Sequence, residues 1–192
     1  VSLGGPIVDI EKLYGLSGRY IREDLSDVEF AAIYGAWAFS PGKLKKIVPL
    51  LKERVERLSD VAHLGHQFVA GELAVDKSQY ESLKLDQDQI VRVLQFSLWR
   101  LEELTALDQE TVEVALKNLA GEIGMKLGEL MPVLFLAITG HKVAVSVFAT
   151  VEVLGLDLVR TRLRRTLAGL GGVSKKQAKT LEKEYASLPK QN

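Results

Sequence analysis

The chain has 192 residues, with 25 basic and 25 acidic side chains, 47% hydrophobic residues and no cysteine. Such a chain is globular and long enough to bury a sizeable core. The missing cysteines exclude a disulfide scaffold, a thiol nucleophile and any thiolate-held metal or iron–sulfur centre.

The periodicity is helical nearly throughout and predicts an all-α fold of roughly eight to ten helices. Ser26-Asp27-Val28-Glu29 reads as a capping box that opens a helix. Ser40-Pro41 reads as an N-cap followed by proline at the first helical position. The following apolar set, Leu44, Ile47, Val48, Leu51, Val55 and Leu58, keeps 3–4 spacing, and Pro49 inside it predicts a kink or break near Val48. A helix capped by Ser59 or Asp60 ends near Gly71. Residues 72–88 are polar and suit a connector with a short helix. Asp86 or Asp88 starts a strongly amphipathic helix with Ile90, Val91, Leu94, Leu98 and Leu101. Asp108 starts another.

The apolar region Leu130–Leu154 is cut by Gly140, His141 and Lys142. Each half is shorter than the ~20 apolar residues a bilayer span needs, so a buried helical hairpin is expected. Leu156–Leu170 carries Val159, Leu163 and Leu167 on one face. Ser174–Gln177 reads as a second capping box for a terminal helix. Neither an apolar leader nor a membrane segment is read, and the expected location is the cytoplasm.

The zero net charge hides a segregation. Residues 160–192 hold nine basic and two acidic side chains, a net of +7. The other 159 residues hold 16 basic and 23 acidic ones, a net of −7. A basic end on an acidic body fits an anionic partner, although a solvated basic helix has the same composition. On the 156–170 helix, Arg164 and Arg165 lie opposite the apolar stripe, and Arg160 and Arg162 flank it. Lys175, Lys176 and Lys179 open the next helix, where the macrodipole adds positive charge. A bent pair of basic helices suits a single-stranded RNA loop with unstacked bases.

Other chemistry is poorly supported. His63 and His66 are three apart, but no third zinc ligand is adjacent and no metal site is expected. Phosphate-loop, dinucleotide, nucleophile-elbow and metalloprotease motifs are all missing. Trp37, Trp99, Phe96 and Phe148 lie in apolar helical contexts and are expected in the core.

Three stretches resemble the C-terminal, tRNA-binding half of bacterial-type glutamyl-tRNA synthetases, a class I family. Asp9–Arg22 is similar to the family's D-x-x-K-L-x-W-x-N-x-x-Y-I-R segment, with Gly15 and Ser17 at the Trp and Asn positions. Leu51–Asp60 resembles L-K-x-R-x-x-x-L-x-D. Gly124–Gly128, Ala137–Gly140, Val153–Gly155 and Arg162-Leu163 resemble G-x-K-x-G, A-x-T-G, x-L-G and R-L in the same order.

The resemblance implies a helical stem-contact region at 1–58, followed by a two-part helical anticodon-binding cage at 59–107 and 108–192. It implies tRNA as partner (glutamate acceptor, and also glutamine acceptor in some members), and a monomer. Both ATP-site signatures of class I synthetases are missing from the sequence. By itself the chain is therefore not expected to be an enzyme, with ATP and magnesium required only by an upstream catalytic domain. The expected RNA-binding residues are Arg160, Arg162, Arg164, Arg165, Lys175 and Lys176, with Arg92 and Arg100 on the earlier amphipathic helix. A second reading is a helical protein-interaction domain that kept the cage fold and lost RNA reading.

Overall fold

The computed structural model describes residues 9–142 and 145–189. Among these residues there are eleven α-helices and no strand. The chain divides into two compact units at Lys45/Lys46, inside the helix α3, whereas the sequence reading set its first boundary after residue 58.

In the first unit, α1 (Ile10–Arg19) runs directly into a π-helical turn at Tyr20–Asp24, and α2 spans Asp27–Phe39. Asp9 caps α1 by accepting the Lys12 N–H at 3.1 Å. Ser26 and Glu29 form the expected reciprocal capping box on α2. α2 buries only Ala38. Trp37, expected in the core, is 54% exposed. It stands in an aromatic row with Phe30, Tyr34 and Phe39, with Tyr34 at its centre.

α3 (Pro41–Lys52) begins at the Ser40 cap and runs unbroken through Pro49. The helix ends three residues later, so the amide that proline removes belongs to the last turn. It stops before Val55 and Leu58, the last members of that apolar set. The carboxylate of Asp60 accepts the N–H groups of Glu56 and Arg57 (3.1 and 2.9 Å) and folds that stretch into a turn. Leu58 is left 91% exposed.

The second unit continues with α4 (Asp60–Val69), α5 (Lys77–Glu81), α6 (Gln87–Glu102), α7 (Gln109–Glu122), α8 (Leu127–Thr139), α9 (Val147–Leu154), α10 (Leu156–Gly169) and α11 (Lys175–Ala186). Asp86 and Gln89 form a capping box on α6, and Asp108 caps α7. Ser174 accepts the Gln177 N–H, as expected. The Gln177 amide, however, donates across to Asp88 at 3.1 Å and does not close a box.

α6 buries nine residues, from Ile90 to Leu101, and its buried Arg100 is held by Glu122 and Tyr185. It packs against α7, α8, α10 and α11. Val93, Leu94, Phe96 and Leu101 of α6 meet Leu116, Leu134, Leu163 and Leu181 in one continuous cluster. That cluster runs across the expected 107/108 boundary. A smaller cluster joins Ile47, Leu51, Phe68 and Val145.

Two glycines set the topology. Gly140 ends α8 at φ 78°, a left-handed conformation that L side chains resist. Beside it the buried Thr139 hydroxyl donates to the Phe135 carbonyl, and the His141 N–H donates back to that hydroxyl. Gly155 (φ 76°, ψ 164°) separates α9 from α10 by a single residue, in a region essentially reserved for glycine. Among the described residues no helix is long and apolar enough to cross a membrane.

Candidate nucleic-acid interface

The expected basic residues all lie on a helical hairpin and on the helix it grips. The α10 end meets the start of α6, where the Gln87 side chain donates to the Leu170 carbonyl at 2.8 Å. The α10 start meets the end of α6, where Arg160 and Arg164 reach Glu102. α10 therefore runs antiparallel to α6. α11 runs parallel to it, through Gln177 to Asp88, Glu184 to Arg92 and Tyr185 to Arg100.

This geometry separates the expected residues into three groups. The first is an exposed arginine face on α10. Arg164 donates to Glu102 at 3.0 Å. Arg160 Nε lies 2.8 Å from the same carboxylate oxygen, with its N–H misaligned for a hydrogen bond, and its Nη1 donates to Asp157 at 3.2 Å. Arg165 points to another edge of the helix and pairs with Glu72. Arg164 and Arg165 keep more than half of their side-chain surface in solvent.

The second group is a lysine stripe along α11, which starts beside the N-terminal end of α6, where Gln177 meets Asp88, and runs to its C-terminal end, where Tyr185 meets Glu103. Lys175, Lys176, Lys179 and Lys183 are all exposed. At 100° per residue they fall within a 100° arc of α11, opposite the buried Leu181. None of them takes part in an ion pair among the described residues. The expected RNA-binding set includes Lys175 and Lys176 but leaves out Lys179 and Lys183. The i, i+1, i+4, i+8 spacing of lysines against Leu181 is the signal that groups all four on one face. Lys176 also borders a polar cleft of about 510 Å³ between α6 and α11, lined by Asp86, Asp88, Arg92, Gln177 and Glu184.

The third group is structural, and here two expectations are corrected. Arg162 is 1% exposed. Its guanidinium donates to four backbone carbonyls: Gly71 at 2.9 Å, Gln67 at 2.8 Å, and Ala70 and Ile138 at 2.5 Å each. These carbonyls belong to the C-terminal ends of α4 and α8, where unsatisfied acceptors and the negative ends of two helix dipoles converge. Arg162 thus closes two helices at once, with four of its five N–H donors used and the side chain buried away from solvent. Burial pushes its pKa down to about 10, so it remains charged in neutral solution.

Arg100 is 2% exposed and is held by Glu122, at 2.5 Å from Nη2, and by the Tyr185 hydroxyl at 3.2 Å. Desolvation works against its charge, but these partners outweigh it and raise its pKa. Arg92 sits between these cases. It pairs with Glu184 and donates to the Ile123 carbonyl, tying α11 to α6 and α7. Its Nε–Glu184 distance is 2.7 Å.

The quoted motifs are therefore largely architectural. Arg162 of the R-L element donates to Ile138 of the A-x-T-G element, and Gly155 of the x-L-G element sets the α9–α10 corner. In the G-x-K-x-G element, Gly124 takes φ 73°, and the Lys126 N–H is closed by Glu129 at 2.7 Å. Among the described residues no group of three histidines or carboxylates has a metal-holding arrangement.

Comparison with known proteins agrees with this architecture. The glutamate–tRNA ligase of Marinomonas sp. (strain MWYL1) is 44% identical over 188 residues, covering 98% of this chain and 38% of that protein. The enzyme of the same name from Stutzerimonas stutzeri (strain A1501) is 45% identical over 188 residues, again with 98% and 38% coverage. The chain thus spans 38% of the length of these relatives. A crystal structure of a glutamate tRNA ligase from Elizabethkingia meningosepticum CCUG26117, in complex with its amino acid, shares the fold. Its TM-score is 0.62 at 20% identity, over 88% of this chain and 34% of that one. The model of the anticodon binding domain family matches residues 25–167, and the chain belongs to that family.

Proposed function

We propose that the chain is the tRNA-binding part of a longer glutamate–tRNA ligase and holds the anticodon region of a glutamate-acceptor tRNA. The carrying observation is that a chain of this family presents four lysines, without an ion pair among the described residues, on one exposed stripe of α11. Lys175, Lys176, Lys179 and Lys183 meet phosphates as point charges. Arg164 and Arg165 add planar, two-pronged donors, and the α6–α11 cleft offers hydrogen-bond partners to an unstacked base. On this reading the chain performs no ligation alone, ATP and magnesium act on a domain outside it, and it works as a cytoplasmic monomer. Acceptance of glutamine-acceptor tRNA is part of the same proposal and rests on the family likeness alone.

The test is tRNA affinity as a function of salt. A module neutralising several phosphates gives a log K versus log salt slope of several units, about 0.7–0.9 per phosphate. Arg164→Glu with Arg165→Glu abolishes binding. Lys179→Glu with Lys183→Glu, which breaks no ion pair among the described residues, lowers the slope by about two. No measurable affinity for total tRNA at low salt refutes the proposal.

A further inference from the structure

We propose that Glu102 is an internal stand-in for an RNA phosphate, and that it limits affinity by occupying the arginines that RNA must reach. The inference rests on the tRNA-binding reading above. One Glu102 oxygen holds two arginines of α10, at 2.8 Å from Arg160 and 3.0 Å from Arg164. It does so on the face where the exposed arginines of α10 begin.

The position of Glu102 is electrostatically unfavourable apart from those arginines. It is the last residue of α6, where the helix dipole disfavours a carboxylate. On its other side lies an open cleft lined by Glu103, Glu182, Trp99 and Tyr185. Two more carboxylates there offer a displaced Glu102 no counter-charge. It therefore stays on the arginines until a stronger acceptor takes them. A phosphate is such an acceptor, with more charge and more oxygens for forked guanidinium donors.

The contact is also poised for exchange. Arg164 is 60% exposed, and Arg160 Nε faces Glu102 without a linear hydrogen bond. Arg162 on the same helix contrasts with both, since burial and four carbonyls lock it in place.

RNA docking on this face trades two internal ion pairs for phosphate contacts. The released carboxylate takes up a cation from solution, which offsets one cation released from the RNA. Removing the carboxylate while keeping its shape removes this competition. Glu102→Gln in the full chain is expected to bind tRNA about five-fold tighter at low salt and to steepen the salt slope by about one. The control is Glu113→Gln, which deletes the same charge from an exposed α7 position with no ion pair among the described residues. Compared at ~0.15 M salt, where unpaired surface charges are screened beyond ~8 Å, it should shift affinity less than about two-fold and by less than Glu102→Gln.

In an Arg164→Gln background the gain from Glu102→Gln should shrink, because half of the competition is already gone. Unchanged or weaker binding by Glu102→Gln, alongside a wild-type chain that binds tRNA, overturns this proposal alone. A gain equal to that of Glu113→Gln also overturns it, leaving only a net-charge effect. A wild-type chain that binds no tRNA overturns both this and the reading it rests on.

Discussion

Replacing Arg162 by methionine isolates what a buried cation does in this fold. The substitution keeps much of the aliphatic stem and removes the guanidinium. Four carbonyls then lose their donor, those of Gln67 and Ile138 in buried contacts and those of Ala70 and Gly71 in part-buried ones. A buried acceptor left unpaired costs ~1–3 kcal/mol, and recovery of the desolvation cost of the cation offsets part of the sum. A net loss of about 4 kcal/mol is expected, a large share of the ~5–15 kcal/mol that stabilises a typical domain. For a unit of this size that lowers Tm by roughly 8–16 °C. The comparison is Arg164→Met, two residues away and 60% exposed, whose loss should stay within about 0.5 kcal/mol. Thermal melting followed by circular dichroism, with urea titration for the free energy, reads both variants. Equal melting temperatures for Arg162→Met and wild type, or an equal loss in Arg164→Met, would refute the assignment of Arg162 to the two helix ends.

Two further outcomes follow from the same packing. Gly169 is the last residue of α10, and a Cβ there would lie 2.9 Å from Val75 Cβ and 3.0 Å from its Cγ1. Gly169→Ala should therefore cost ~1–3 kcal/mol despite the ~1 kcal/mol that alanine normally adds to a helix. Val75→Ala should restore much of that loss in urea titration, and a more stable Gly169→Ala protein would contradict the close approach. Burial pushes the Tyr80 hydroxyl up to about 12, with the Thr166 hydrogen bond acting the other way. A raised acid favours the folded state fully below its unfolded value near 10 and loses that contribution as pH climbs to 12. The tyrosinate absorbance of wild type minus Tyr80→Phe should rise only near pH 12, in step with alkaline unfolding. A step near pH 10 would contradict the burial.

Local sequence determined much of the secondary structure, because caps act over three or four residues. Ser26 with Glu29, and Asp108, cap where those residue types predict them, and of the two candidate starts Asp86 and Asp88 it is Asp86 that caps α6. The apolar spacing of α6, α7 and α10 likewise marked the faces that pack. Where the local pattern misled, a longer-range partner intervened. Gln177 has the spacing of a capping box, but Asp88, 89 positions away in the chain, takes its amide. The Leu44–Leu58 pattern continues as a helix on paper, but Asp60 captures two amides and turns the chain.

The candidate interface was legible only as a region. Charge counting found the basic end and the family likeness gave it a partner class, but neither separates one arginine from another. Arg162 and Arg164 are two residues apart on one helix and chemically identical. The first is sealed by the carboxyl ends of α4 and α8, the second stands in solvent against Glu102. Helical periodicity placed Arg162 beside the buried stripe without showing that two helix ends converge on it, since those ends come from residues 67–71 and 138. What the sequence determined alone was the helices, their caps and the sign of each segment's charge, all properties of neighbours along the chain. Which cations are free and which are consumed was decided by the tertiary structure. A guanidinium is bound by whatever acceptors the fold brings within about 3 Å of it, and those acceptors are distant in sequence.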